Sequence, residues 1–320
     1  MADLKSPLVA IWMITYNHED YIEKAVESVV LQEVNFDFKL FLSEDNSDDS
    51  TREKCIQLKR KYPDLIELFL PEKNLGVTSA NGIGMQTYER CFRSGAKYIA
   101  LLEGDDYWSD KNKLQIQVDF LESNTSYGSS FHRSSVINSK GETIKESKRL
   151  VYKDHLCANL VLGMGEMLTN TIMFRNNITL PKSFSSVSNG DTYLWYLLGF
   201  LGDCKFQEEI KPSAYRTHQK GVWSSANELE RVRSMCKTYD AIYLDMIEKK
   251  INTQFIEKIV YHNLNITLVG YLKSIRFIKY LNLILFAKSL NIFSCCGFIK
   301  NHIIFLLSKF KLYAYSDITL

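Results

Sequence analysis

An open, doubly wound α/β sheet with mostly parallel strands, followed by a helical C-terminal region, is the fold class this sequence predicts. Two observations carry it. Apolar runs at residues 8–14, 38–43, 65–70 and 98–102 alternate with stretches of helical spacing. Strand–helix units in series make a parallel sheet with right-handed crossovers. Second, the runs at 8–14, 38–43 and 98–102 end in polar residues: Tyr16-Asn17, Asp45 and Asp105-Asp106. In a parallel sheet those ends share one edge, where ligands bind.

Residues 8–14 are apolar throughout and read as a buried parallel strand. Tyr21, Ile22, Ala25, Val26, Val29 and Val30 then fall on one face of a helix over 19–31. Residues 38–43 form the second strand and lead into a polar turn over 44–51. Asp49 or Ser50 caps the next helix, which stops at Pro63. Residues 65–70 are the third strand, and Asn74-Leu75-Gly76 opens a helix over about 77–92. The fourth strand, 98–102, precedes a helix over 110–122 with Asp110 near its cap. Beyond 126 the pattern is less regular. Residues 129–137, Asn138-Ser139-Lys140-Gly141 and Thr143-Ile144 read as a hairpin, and 167–174 as a strand. Ser188-Asn189-Gly190-Asp191 is a loop entering an apolar helix, 214–218 is a short strand, and the chain is helical from Glu228.

The 320 residues, with net charge +2 and 46% hydrophobic content, leave room for a large core and a second small region. The seven cysteines (Cys55, Cys91, Cys157, Cys204, Cys236, Cys295 and Cys296) include no C-x-x-C pair and no ligand spacing, which argues against zinc. Their odd number, with no signal sequence in view, points to a reducing cytosol. No G-x-G-x-x-G follows the first strand and no G-x-x-x-x-G-K-[ST] occurs, so dinucleotide and P-loop sites lose support. No nucleic-acid partner is expected.

Glu103-Gly104-Asp105-Asp106 closes the fourth strand. Gly104 allows a sharp turn there. Carboxylates this close repel, and a hard divalent cation with phosphate oxygens in its remaining positions relieves them. The alternative is a solvated acidic turn before a helix.

Taken together, the landmarks resemble those of the family 2 nucleotide-sugar glycosyltransferases, which have the A-type glycosyltransferase fold. They are Ile14-Thr15-Tyr16-Asn17, Glu44-Asp45-Asn46-Ser47, Asn74-Leu75-Gly76, Glu103-Gly104-Asp105-Asp106, Gly190-Asp191, and His218 with Gly221-Val222-Trp223-Ser224. They span residues 7 to about 225 in family order. One departs: Glu103 stands where many members have Asp.

The resemblance implies roles. Tyr16 borders or stacks on the base, and Asp45 accepts a hydrogen bond from a base or ribose donor. Asp105 and Asp106 bind ribose and a Mn²⁺ or Mg²⁺ ion, with Asp106 favoured as the direct ligand. His218 adds a contact to diphosphate or metal. Asp191 is the general base, against the alternative of a plain helix N-cap. The implied domains are 1–225, with a donor half to about 108 and an acceptor half over 109–225, and a helical region over 226–320. The implied activity is inverting transfer of a sugar from a nucleoside-diphosphate sugar, UDP favoured, to a hydroxyl of a glycan or lipid-linked glycan in surface-polysaccharide synthesis. A nucleotidyltransferase is one rival, but Thr15-Tyr16-Asn17-His18-Glu19-Asp20 is no phosphate loop. A non-catalytic sugar-nucleotide-binding or scaffold protein is the other, and the presence of both Asp106 and Asp191 argues against it.

The tail is distinctive. Residues 258–320 sum to +7 and the rest to −5, with no acid from 258 to 316. Its apolar runs are broken by Lys288, Lys300 and Lys309, short of the roughly 20 residues of a spanning helix. A cytoplasmic protein, peripheral on the inner membrane surface, is expected.

Overall fold

The strand–helix units are present in order: β1 (Val9–Thr15), α1 (Ile22–Val30), β2 (Phe38–Glu44), α2 (Thr51–Lys61), β3 (Ile66–Phe69), α3 (Ile83–Arg93), β4 (Tyr98–Leu101) and α4 (Lys113–Ser123). This is a computed structural model, and it describes residues 6–76, 81–146, 152–181, 183–184, 187, 189–218 and 226–273. β4 is buried at every position, as a continuous apolar run requires. The landmark Gly221 to Ser224 and the tail beyond Lys273 lie outside the described residues, as do residues 77–80 of the helix expected over 77–92.

After α4 come β5 (Tyr127–His132), β6 (Ser134–Ile137), β7 (Thr143–Glu146), α5 (Cys157–Leu160), a 3-10 turn (Thr169–Thr171), β8 (Met173–Arg175), α6 (Gly190–Leu198), β9 (Asp203–Gln207) and β10 (Ser213–Arg216). The main sheet has the order β3-β2-β1-β4-β8-β5-β9, and β10-β6-β7 form a smaller one. β1 pairs in parallel with β2 and β4, and β2 with β3. β8 is antiparallel to β4 and β5.

Two expectations are corrected here. The hairpin is β6 with β7. β5 is not its first arm: it is buried along nearly its whole length inside the main sheet, whereas the middle of β6 is half exposed. The strand expected over 167–174 is confined to its end, β8, and a 3-10 turn occupies Thr169–Thr171, where Asn170 reaches across to the Ala214 carbonyl at 3.1 Å.

The chain continues into α7 (Glu228–Glu248) and α8 (Thr253–Lys273). Asn227 and Glu230 close a capping box at the start of α7. Met1–Asn263 is one compact unit and Leu264–Leu320 another. α7 belongs to the first, where Tyr196 of α6 donates to Asp245 of α7 at 2.6 Å. Among the described residues, no helix is long and apolar enough to cross a membrane.

Candidate active site

The carboxyl ends of β1, β2 and β4 are tied together before any ligand is considered. Asp45 N–H donates to the Thr15 carbonyl at 3.0 Å, and Gly104 N–H to that of Ile14 at 3.0 Å. The loop after β1 is clasped to the loop after β2. Asn17 N–H donates to Ser47 Oγ at 2.9 Å, Asp48 N–H to Asn17 Oδ1 at 2.9 Å, and His18 N–H to Thr51 Oγ1 at 2.8 Å. Asn17 and Asn46 both adopt φ 57°, a left-handed conformation that Asn tolerates. Gly104 has no positive φ. It is needed because a Cβ there would meet Thr15 at 2.6 Å. The chain does turn here, with Asp106 N–H donating to the Glu103 carbonyl at 3.2 Å, and the close approach to Thr15 is what excludes a larger residue.

His18 and Asp105 meet across this junction, joined by His218 just past β10. His218 Nε2 lies 3.0 Å from Asp105 Oδ2, and His18 Nε2 lies 3.8 Å from it. His18 Nδ1 faces Thr15 Oγ1 at 3.1 Å, which fixes its ring. Among the described residues, His18, Asp105 and His218 bring their ligand atoms within 4.8 Å of one another. Burial acts to raise the Asp105 pKa. The His218 hydrogen bond and the charges of His18 and His218 outweigh it and hold the carboxyl below the usual range.

Asp106 faces elsewhere. Its Oδ1 accepts the Arg216 N–H at 2.7 Å, while Arg216 Nε donates to the Asp105 carbonyl at 2.9 Å. Burial, then the charges of Asp105 and Glu103, push Asp106 well above the carboxylate range. The geometry thus groups Asp105 with the histidines and Asp106 with β10.

Among the described residues, the buried Oε2 of Glu103 has no hydrogen-bond partner. Burial, followed by the charge of Asp105, raises its pKa to about 8, and Asp191 adds to the effect. Tyr215 on β10 is raised by burial and then by Asp106, Glu103, Asp105 and Asp191, so these acids share one field.

Asp191 is exposed to solvent, yet protein atoms crowd round it and the resulting desolvation raises its pKa. It is not the N-cap of α6: that residue is Asn189. Asp191 lies in the first turn, its Oδ1 accepting Thr192 N–H at 2.6 Å.

Tyr16 is 39% exposed and donates to Asp48 at 2.9 Å, so it is no core aromatic. Asp45 is buried, and its carboxylate accepts the N–H groups of Leu75 at 2.8 Å and Gly76 at 3.0 Å. It therefore clasps the 74–76 loop rather than only its own turn. His18 and Arg216 were not among the residues singled out from the sequence. The available signal for His18 was its place just past Tyr16-Asn17.

Residues 10–177 match the protein family described as glycosyl transferase family 2. An uncharacterized protein of Mycobacterium tuberculosis is 29% identical over 218 residues, covering 68% of this chain and 61% of its own. The chain thus spans about three fifths of that relative's length. The Escherichia coli UDP-Glc:alpha-D-GlcNAc-diphosphoundecaprenol beta-1,3-glucosyltransferase WfgD is 26% identical over 272 residues, 83% of this chain and 94% of its own. Among solved structures, S. aureus TarS 1–349 in complex with UDP-GlcNAc aligns with TM-score 0.60 and 16% identity, over 86% of this chain and 79% of its own. At that identity the likeness is one of fold.

Proposed function

The chain belongs to glycosyl transferase family 2, and from that premise we propose that it transfers a sugar, with inversion, from a nucleoside-diphosphate sugar to a hydroxyl of a lipid-linked glycan in surface-polysaccharide synthesis. The observation that supports this most is the convergence of His18, Asp105 and His218, from the ends of β1, β4 and β10, in the same acidic field as an accessible Asp191. The relative WfgD, whose name specifies a diphosphoundecaprenol-linked acceptor, supports the acceptor class.

The donor set fits a divalent ion. One carboxylate and two imidazoles, already within 4.8 Å, need little rearrangement. Two nitrogen ligands favour Mn²⁺ over Mg²⁺, which prefers oxygen. Asp105 and His218 would hold the ion directly, with His18 as the third ligand. Asp106, the ligand favoured from the sequence, accepts the Arg216 N–H through Oδ1 at the end of β10, which a carboxylate can do while also binding an ion. When bound, the ion takes up charge on the departing diphosphate.

The chain's own residues do the rest. Tyr16 presents an exposed ring, anchored through its hydroxyl, as a face for the base. Asp45 holds the 74–76 loop beside it and keeps lone pairs for a base or ribose donor, an arrangement suited to UDP. Asp191 takes the proton of the acceptor hydroxyl as that oxygen attacks the anomeric carbon. Its raised pKa makes it a stronger base than an ordinary aspartate. The protein works at the cytoplasmic face of the membrane, where such acceptors are presented.

A screen of nucleotide sugars for hydrolysis, beginning with UDP-glucose and UDP-N-acetylglucosamine, tests this without an acceptor. We expect turnover with Mn²⁺, none with EDTA, and a loss of about 10²-fold or more in Asp191→Asn with UDP binding retained. No turnover of any nucleotide sugar, or full turnover in Asp191→Asn, overturns the reading.

A further inference from the structure

We propose that α7 belongs to the catalytic apparatus: through Ser234 and Thr238 it sets the start of α6 and thereby the position of Asp191. The inference rests on Asp191 being the base. It goes further in assigning positioning residues to a helix beyond the matched family segment of 10–177.

Asn189 is the N-cap of α6, two residues before Asp191. Asn at an N-cap ordinarily spends its side chain on the first-turn N–H groups of its own helix. Here it makes no such bond. Its Oδ1 accepts the Ser234 hydroxyl at 2.6 Å, and its Nδ2 faces Met235 Sδ at 2.8 Å. Its backbone N–H donates to Thr238 Oγ1 at 3.1 Å. The cap therefore serves α7 instead of α6.

Thr238 is fully buried and donates its own hydrogen to the Ser234 carbonyl at 3.1 Å, which leaves a lone pair aimed at Asn189. A network anchored on the buried Asn189 and Thr238, with every member partnered, holds the start of α6 in a single geometry. Two further bonds keep α7 from sliding. Tyr196, one and a half turns along α6, donates to the buried Asp245 at 2.6 Å, and Tyr239 donates to the Gly163 carbonyl at 3.3 Å. Gly163 takes φ 66°, and a Cβ there would meet Tyr239 at 3.1 Å.

A base must lie within about 3 Å of the proton it removes. A misplacement of about 1 Å costs up to about 10²-fold in rate. Fraying at the start of α6 is a displacement of that size, and the Ser234–Asn189–Thr238 bonds are what prevent it.

The test uses the full-length protein with Thr238→Val, Ser234→Ala and both together. Hydrolysis of the UDP-sugar found by the screen is measured with Mn²⁺, and UDP affinity by calorimetry. The double variant should lose about tenfold or more in kcat. Its donor KM and UDP affinity should stay at wild-type values, and Thr238→Ser should restore turnover. Wild-type kcat in the double variant overturns the proposal, as does an equal loss in kcat and UDP affinity, which a general packing defect produces. Should the double variant not fold, Thr238→Val alone, a near-isosteric loss of the hydroxyl that accepts from Asn189 and donates to Ser234, carries the same comparison. Asp191→Asn runs alongside. If it is inactive while the double variant turns over normally, the clamp fails and the base stands. If it is fully active, the base fails and the clamp falls with it.

Discussion

Alanine at Gly104 tests whether the fit between strand ends builds the site. The new Cβ would stand 2.6 Å from both Cβ and Oγ1 of Thr15 and 3.1 Å from the Ile14 carbonyl oxygen. Ordinary contact begins at 3.4 Å, so the ends of β1 and β4 must part by about 0.8 Å. The obstructing atoms are backbone and the first side-chain atoms of a buried residue, with no flexible end to swing aside. Such overpacking costs about 1–3 kcal/mol. At roughly 2–4 °C per kcal/mol for a unit near this size, the melting temperature should fall by about 2–12 °C. The same opening acts on the site. Asp105 follows Gly104, while His18 is held to Thr15 through Nδ1. Pushing Gly104 from Thr15 therefore pulls Asp105 from His18, and affinity for UDP with Mn²⁺ should drop about tenfold or more. Differential scanning fluorimetry and calorimetry measure the two effects. Unchanged melting refutes the steric argument. Lower melting with unchanged Mn²⁺-dependent UDP affinity refutes the link between strand fit and site.

Other outcomes follow from the same geometry. His18→Ala should weaken UDP binding with Mn²⁺ by about tenfold or more and leave binding in EDTA alone; an equal loss in both conditions would remove His18 from the metal site. The acid limb of kcat should lie above the about 3.9 of a free aspartate, because Asp191 must be ionised to act and desolvation raises it; a limb at or below that value contradicts the assignment. Glu103, at about 8 when folded against about 4.3 unfolded, binds more protons folded than unfolded between those values, so it withdraws stability as pH rises through that window. Metal-free wild type should then lose melting temperature from pH 5 to pH 8 relative to Glu103→Gln, and parallel curves would show that Glu103 is ionised in the fold. For the tail, full-length protein should float with anionic vesicles at low salt and sink at high salt; sedimentation at low salt ends the membrane reading.

The sequence by itself determined the four neighbouring parallel strands β1 to β4 of the sheet. A strand buried on both faces is a continuous apolar run, and a helix on a sheet shows its apolar stripe at helical spacing; both signals are local, so β1 to α4 were legible. The polar ends of those strands, and hence the edge where His18 and Asp105 meet, were legible for the same reason. Side-chain convergence is not local. Asp105 and Asp106 are neighbours in sequence, and nothing there says which one meets a histidine. The Arg216 N–H, on a strand far along the chain, engages Asp106 and leaves Asp105 to His18 and His218. For Asp191 the helix-cap alternative to the general base stayed open until the structure placed Asn189 at the cap and tied it to α7. β5 and β6 read as one run because sheet membership depends on which neighbour buries the second face. Backbone periodicity is written residue by residue; which partner each carboxylate meets is decided only when distant strands and helices are brought into contact.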